Sequence, residues 1–487
     1  MDVTDGRTST RRPGARNAFD DAYRRGIYEE LPPPPRTRRR LTRGDHRGRP
    51  AGPPTAAAAP AAAFALRGAV VTPDAAWGDG YVVVEGGRVA AVQQNAPSGV
   101  DVLDTGGVIL PGLIDLHGHP EFNVFPAWEP PTLFANRYRW RSSTIYQQLV
   151  REPQNTLIAT LPGGTQLRYA EIRALVGGVT AIQGAGATAA TAAHEPLVRN
   201  VDLFIFGQHR ARAMIDLPTA SSRDAPRLAK IIQGIRDGKI DAFYLHLSEG
   251  RRGDQRSQSE FQRFLDLGAA TTATVLIHAT ALTADQIHQV ADAGCKLVWS
   301  PQSNLRLYGQ TTLAADALAA GMPVALGADW LPSGSTSLLA EMKVARRELA
   351  RQGHVIPAAD LVRMVTADAA RIAGLDDHLG ALAPGRPADV LVLERHHEDP
   401  YENVCAADPS WVDLVLIGGD VTYARSDWFA GLTGGATGVT VEQLTAWGKP
   451  VTLDDSYHTG TAAAAVPLSA IRGLLTKAYP PVGPIFA

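Results

Sequence analysis

Leu110-Pro111-Gly112-Leu113-Ile114-Asp115-Leu116-His117-Gly118-His119 is the stretch on which the reading of this chain turns. An apolar run leads straight into two histidines spaced i and i+2. Side chains of a strand alternate between faces, so both imidazoles project from the same side. At the C-terminal end of a barrel strand they point toward the axis, where barrel enzymes keep their sites. Alone, the pair is a moderate signal for such a site, with two ordinary edge histidines as the other reading.

The same pattern recurs downstream. Phe243-Tyr244-Leu245-His246-Leu247-Ser248-Glu249 ends a second apolar run in a histidine, with a carboxylate three residues on. Val275-Leu276-Ile277-His278 ends a third, and Val324-Ala325-Leu326-Gly327-Ala328-Asp329 ends a fourth in an aspartate. Four strands of one barrel that each turn polar where the apolar run stops argue for a shared site. Three neutral imidazoles and one carboxylate around an open position suit a borderline divalent ion, Zn2+ or Fe2+. Such an ion lowers the pKa of a water from ~15.7 toward about 7. A nearby glutamate can then carry a proton from that water to a leaving nitrogen.

Around these runs, residues 108–380 alternate short apolar strands with helical stretches, the pattern of a parallel α/β fold. Strands are expected at Val108–Leu116, Val179–Gln183, Leu203–Phe206, Ala242–Leu247, Ala273–Ile277, Lys296–Trp299 and Pro323–Leu326, with Ala213–Leu217 a weaker eighth. Helices are expected at Ala284–Ala293, Thr312–Ala320, Leu338–Arg351 and Ala358–Ala373. The predicted architecture is a (β/α)8 barrel. Outside it, β-branched runs separated by glycine turns occupy 64–107 and return at 381–425, which predicts one small β-sandwich domain built from both ends. Residues 1–63, rich in arginine, proline and alanine, read as a disordered tail, and 426–487 as an extension with no assigned role.

Composition narrows the function classes. A net charge of −2 gives no general attraction to nucleic acid or to anionic membranes, and no run has the roughly 18–20 apolar residues of a membrane span. Two cysteines, Cys295 and Cys405, cannot build a disulfide framework or a thiolate zinc site, so a reducing cytoplasmic setting is expected. The expected partners are a small-molecule substrate and further copies of the chain, as a dimer or larger.

The ordered set His117-Gly118-His119, His246-Leu247-Ser248-Glu249, His278, Ser300-Pro301-Gln302-Ser303-Asn304-Leu305 and Gly327-Ala328-Asp329 resembles the cytosine deaminase and triazine hydrolase branch of the amidohydrolase superfamily. The resemblance runs from about Leu66 to Ala424. It implies that His117, His119, His246 and Asp329 hold one divalent metal ion per chain, Zn2+ ahead of Fe2+. It also implies that Glu249 shuttles the proton, that His278 polarises the substrate or orients the water, and that Asp329 doubles as a base. A two-metal site bridged by a carboxylated lysine is the main variant of the superfamily. The first lysine here is Lys230, in a stretch that reads as a surface helix, and Lys239 precedes the His246 strand by too much. One metal is therefore expected. The run Asp329-Trp330-Leu331-Pro332-Ser333-Gly334-Ser335 departs from the deaminase pattern and is similar to imidazolonepropionases, so the sequence sits between two reaction types.

The loop after the first histidine pair carries Glu121, Phe122, Asn123, Phe125, Trp128, Arg137 and Trp140. Aromatics with a few amides and an arginine suit a flat, polar heterocycle. Glu121, Asn123, Arg137, Gln183, Asn304, Tyr308 and Trp330 are the expected substrate-facing residues. The expected reaction is metal-assisted hydrolysis at a carbon–nitrogen bond of a nitrogen-rich ring or guanidine-like compound. Deamination is preferred over opening of a cyclic amide, and a chloride or alkylamine leaving group is a third form. A metal-free binding protein on the same fold is the alternative of another class.

Overall fold

The computed structural model describes residues 63–72, 74–184, 196–203, 205–208, 210–219, 221–435, 441–455 and 466–486. The expected N-terminal tail, apart from Ala63, lies outside the described residues.

Four strands open the described chain: β1 (Phe64–Val71), β2 (Ala76–Glu85), β3 (Arg88–Gln93) and β4 (Asp101–Pro111). Eight short strands follow: β5 (Leu113–Asp115), β6 (Val179–Ile182), β7 (Arg199–Asn200), β8 (Ala211–Met214), β9 (Ala242–Leu247), β10 (Thr274–His278), β11 (Lys296–Trp299) and β12 (Val324–Leu326). The last five are β13 (Val390–Leu393), β14 (Val412–Ile417), β15 (Asp420–Arg425), β16 (Val441–Ala446) and β17 (Lys449–Asp454).

The first four and last five strands form one nine-stranded sheet in the order β16-β17-β15-β14-β13-β4-β1-β2-β3. The β domain expected from both chain ends is thus present. It extends beyond residue 425, because β16 and β17 supply its edge. One face of the sheet encloses its own apolar cluster, which includes Leu66, Val82, Ile109, Val392, Leu416 and Phe429. Alternate residues such as Leu110, Leu391 and Val415 pack into the main core. Burial on both faces explains why these strands read as nearly unbroken apolar runs.

β5 to β12 run parallel in two arcs, β5-β6-β7 and β8-β9-β10-β11-β12. A bridge between Gly118 and Asp329 joins the arcs at one seam. The arcs share one interior: Ile114, Ala181, Ala211, Tyr244, Ile277, Val298 and Ala325 belong to a single buried cluster. The weaker eighth strand, expected at Ala213–Leu217, is β8, two residues earlier.

Three expectations need correction. The single strand predicted at Val108–Leu116 is two strands in different sheets. β4 pairs with β1 and β13, and the chain crosses into the arcs at Gly112, where an added Cβ would lie 2.2 Å from Thr180 Oγ1. Both halves are buried, so the apolar run shows no break. The strand expected at Leu203–Phe206 is instead Arg199–Asn200, and Phe206 has φ 50°. The helix expected at Ala358–Ala373 is two helices, Ala358–Arg363 and Ala367–Ala373. In the break, the carbonyls of Met364 and Val365 accept from the amides of Leu326 and Ile114, so that turn is tied to the strand floor.

The segment after Arg425 also braces the site. Its helix Leu468–Ala478 buries Leu468, Ile471 and Leu475 in the main core, and Gly483 donates its amide to Val124 O at 3.1 Å. Cys295 and Cys405 are both buried and unpaired. Among the described residues no helix is long and apolar enough to cross a membrane.

Candidate metal centre and substrate cleft

The site lies where β5, β9, β10 and β12 end. Asp329 donates its backbone N–H to His117 O at 2.8 Å, drawing the ends of the first and last strands together. Gly327 permits this approach, since an added Cβ would lie 2.4 Å from His117 Cβ. Asp115 Oδ1 accepts from the amides of His117 (3.2 Å) and Ala328 (3.1 Å) across the same seam. Burial pushes that carboxyl up to about 7. His278 and Asp329 sit at φ 66° and 61°, a left-handed backbone that side chains other than glycine rarely adopt. Strain of this kind clusters at functional sites, and here it turns both side chains at the strand exit.

His117 Nε2 lies 3.1 Å from His246 Nε2 and 3.5 Å from Asp329 Oδ1, and His119 Nε2 lies 3.6 Å from the same oxygen. Four donors about 2.0–2.1 Å from a zinc ion in a tetrahedron stand about 3.3–3.4 Å from one another. The three distances above lie close to that spacing. Burial, reinforced by neighbouring histidines, holds His117 and His246 well below the ordinary imidazole value, and His119 at about 4. All three are therefore neutral near pH 7, the form that binds metal. Burial drives Asp329 well above the carboxylate range, a cost that a cation between these donors would offset. Behind the ligands, His117 Nδ1 pairs with Ser300 Oγ at 2.7 Å, the kind of contact that orients a metal-binding ring.

Glu249 and His278 stand beside this group, with His278 Nε2 3.8 Å from Glu249 Oε2 and 4.0 Å from Asp329 Oδ2. A cleft opens over them, lined by Phe122, Trp140, Tyr146 and Trp330 with Arg137 and Arg141. Trp140 and Trp330 have ring centroids 5.3 Å apart, and Trp140 and Tyr146 5.2 Å. Arg137 and Arg141 both reach Asp216, at 3.3 and 3.2 Å, and Arg137 also meets Glu260 at 3.2 Å.

The expected substrate-facing residues divide. Arg137 and Trp330 line the cleft. Asn304 and Tyr308 stand one layer behind it: Asn304 Nδ2 lies 2.9 Å from His278 Nδ1, and Tyr308 donates its hydroxyl to Glu249 Oε1 at 2.5 Å. Gln183 donates to Asp202 at 3.1 Å and borders a smaller cavity beside His119 and His246. Asn123 Oδ1 accepts from the Leu331 amide at 2.8 Å, fixing the loop after β12. Glu121 lies in the 3-10 turn Pro120–Phe122, away from the cleft lining. The sequence reading missed Arg141, Tyr146 and Ile215 as lining residues. Tyr146 carries an aromatic signal in the same loop, whereas nothing local marks Ile215. Lys230 is exposed in the helix Ala225–Arg236, and Lys239 pairs with Asp237 at 3.2 Å, so neither reaches the strand ends.

An α/β core whose strand ends gather three neutral imidazoles, an aspartate and a glutamate defines a metal-dependent hydrolase. The amidohydrolase family model matches residues 228–422. The chain is 32% identical over 165 residues to a 5-methylthioadenosine/S-adenosylhomocysteine deaminase of Teredinibacter turnerae, an alignment covering 32% of this chain and 37% of that protein. It is 26% identical over 411 residues to a 5'-deoxyadenosine deaminase of Methanothermobacter thermautotrophicus, covering 70% and 88%. In fold it is similar to an atrazine chlorohydrolase variant of Arthrobacter aurescens complexed with zinc and atraton, with TM-score 0.58 and 18% identity over 74% of this chain and 94% of the other. Over residues 228–422 the chain is similar to the amidohydrolase family.

Proposed function

We propose that this protein is a mononuclear aminohydrolase that replaces an exocyclic amino group of a flat nitrogen heterocycle by oxygen, releasing ammonia. The proposed substrate class is an adenine nucleoside altered at its 5' position. We read the two strand arcs as one (β/α)8 barrel, with the site at the C-terminal ends of its strands. The observation that carries the reading is the donor spacing of His117, His119, His246 and Asp329, with Glu249 and His278 on the same side.

Zinc is the ion that three imidazoles and one carboxylate favour, and when bound it supplies the Lewis acidity that makes water a nucleophile near neutral pH. Glu249 takes the proton from the attacking water through Oε2 and delivers it to the leaving nitrogen. His278 offers a hydrogen bond from Nε2 that steadies the oxygen as it adds to the ring carbon. Phe122, Trp140, Tyr146 and Trp330 give the ring apolar surfaces on several sides and keep bulk water out. The balance is one water consumed, one carbon–oxygen bond formed, one carbon–nitrogen bond broken and one ammonia released.

The relatives named above support the substrate class, since the longer alignment is to a deoxyadenosine deaminase. The test is metal analysis of purified protein followed by ammonia release over 5'-deoxyadenosine, 5'-methylthioadenosine, adenosine and aminotriazines. About one zinc or iron per chain with ammonia from a nucleoside is the expected result. Ring opening without ammonia moves the enzyme to the cyclic amide hydrolases, and failure to take up metal on reconstitution removes the reading.

A further inference from the structure

Asn304 and Tyr308 are spaced i, i+4 on the helix Pro301–Tyr308, so they lie on one face of it. Each meets one of the two acid–base groups. We propose that this helix sets where the protons of the site reside: Asn304 holds His278 as the tautomer protonated at Nε2, and Tyr308, held in turn by Trp140, fixes one oxygen of Glu249 so that the other faces the cleft. Both are positioning residues, and the inference rests on the roles proposed above for His278 and Glu249.

The direction of the first contact follows from what surrounds the Asn304 amide. Thr311 Oγ1 accepts from Trp299 Nε1 at 2.7 Å, so its own proton is available, and it lies 3.3 Å from Asn304 Oδ1. Thr312 Oγ1 lies 3.4 Å from the same amide atom but gives its own proton to His278 O. The assignment of the NH2 group to His278 therefore rests on the Thr311 proton and on the two carboxylate oxygens that face His278 Nε2 and can only accept. A donor facing His278 Nδ1 requires a lone pair there, so a neutral ring carries its proton on Nε2. That N–H points at the gap between Glu249 Oε2 and Asp329 Oδ2. His278 is thus a hydrogen-bond donor to the reacting oxygen and not an ion ligand. His117 differs, because the Ser300 hydroxyl at its Nδ1 can accept, leaving the Nε2 lone pair for an ion. Asn304 is fully buried, which removes water as a competing partner.

The second contact is one-directional for a similar reason. The indole N–H of Trp140 can only donate, and it meets Tyr308 Oη at 2.8 Å. The phenolic proton therefore goes to Glu249 Oε1. Burial, together with the adjacent Glu249, holds the Tyr308 hydroxyl far above its ordinary value, so it stays protonated. Trp140 also lines the cleft, so the residue that touches the substrate is one hydrogen bond from the residue that holds the shuttle.

The experiment is 15N NMR of zinc-loaded protein labelled at histidine, with the His278 signals identified by their loss in His278→Gln. Expected is an unprotonated Nδ1 with a protonated Nε2, and transfer of the proton to Nδ1 in Asn304→Asp, which offers an acceptor. A wild-type His278 protonated at Nδ1 overturns the Asn304 assignment, and that spectrum decides even if the variant does not fold. This arm needs no substrate, so it stands apart from the reaction proposed above. With a substrate in hand, Tyr308→Phe should lower kcat about tenfold with KM within about twofold and zinc content unchanged. A rise in KM with kcat unchanged returns Tyr308 to the substrate-facing set and overturns its positioning role, as does wild-type turnover.

Discussion

His117, His246, His278 and Asp329 end or follow parallel strands, and none is more than 6% exposed. Phe122, Trp140 and Tyr146, which also line the cleft, come from the connection between β5 and β6, from its turn Pro120–Phe122 and its short helices Arg137–Arg141 and Thr144–Tyr146. The strand-end wall takes its geometry from backbone hydrogen bonds across two arcs, with the seam at His117 and Asp329 closed on both sides of Gly118. The loop wall takes its geometry from rings packed on rings, 5.2 to 6.1 Å between centroids. The two walls differ in what holds them but are joined at defined points: Trp140 donates to the Tyr308 that holds Glu249, and the Arg137 amide donates to Glu249 O at 3.1 Å. Trp330 is a further link: it follows Asp329 directly yet packs among the loop aromatics.

The comparison breaks or holds under substitution. His117→Ala should remove the ion and the activity together, with bound metal falling below about a tenth of an equivalent and turnover dropping at least about 10⁴-fold. Metal analysis beside a rate assay checks this, and retained metal with retained rate would detach His117 from the centre. Glu249→Gln should keep one ion per chain while kcat falls about 10³-fold, separating proton transfer from metal binding within the same wall. Trp330→Ala tests the loop wall. KM should rise about tenfold with metal content unchanged, and loss of metal instead would show the two walls to be one unit.

The smallest effect concerns stability. Glu341 Oε1 accepts from the Gln302 amide at 3.0 Å, and Oε2 accepts the Ser335 hydroxyl, which ties the loop after β12 to the start of the Asn304 helix. Burial pushes its carboxyl up to about 8 from the usual 4.5. The folded protein then holds a proton that the unfolded chain releases. Stability from this group is full below about pH 4.5 and declines as pH rises through about 8. Between pH 6 and pH 9 the wild type should lose about 3 °C more in Tm than Glu341→Gln, which cannot ionise. Parallel melting curves across that range settle it, and equal slopes would remove Glu341 as the cause.

The donor set is legible in the sequence because its signal is local. A short apolar run that stops at a histidine or aspartate needs only the strand to be read, and His117, His119, His246, His278 and Asp329 all follow from that one rule. Glu249 follows from its distance to His246 along the chain. The layer behind the donors has no such signal. Asn304 and Tyr308 are polar residues near a strand end, as substrate-binding residues are, and only the placement of their helix in the fold brings them against His278 and Glu249.

Local spacing in the chain therefore dictates the alternation of strands and helices, the polar residue at each strand exit, and the β domain drawn from both chain ends. Each of these rests on a pattern within a few residues. Tertiary packing alone decides that the run through Gly112 serves two sheets, that His278 and Asp329 adopt a left-handed backbone, and that Arg141 and Ile215 border the cleft. It also decides which polar side chains touch the cleft and which brace it. Those outcomes depend on contacts between residues far apart in the chain, such as Asp115 with Ala328 and Trp140 with Tyr308, which no local periodicity encodes.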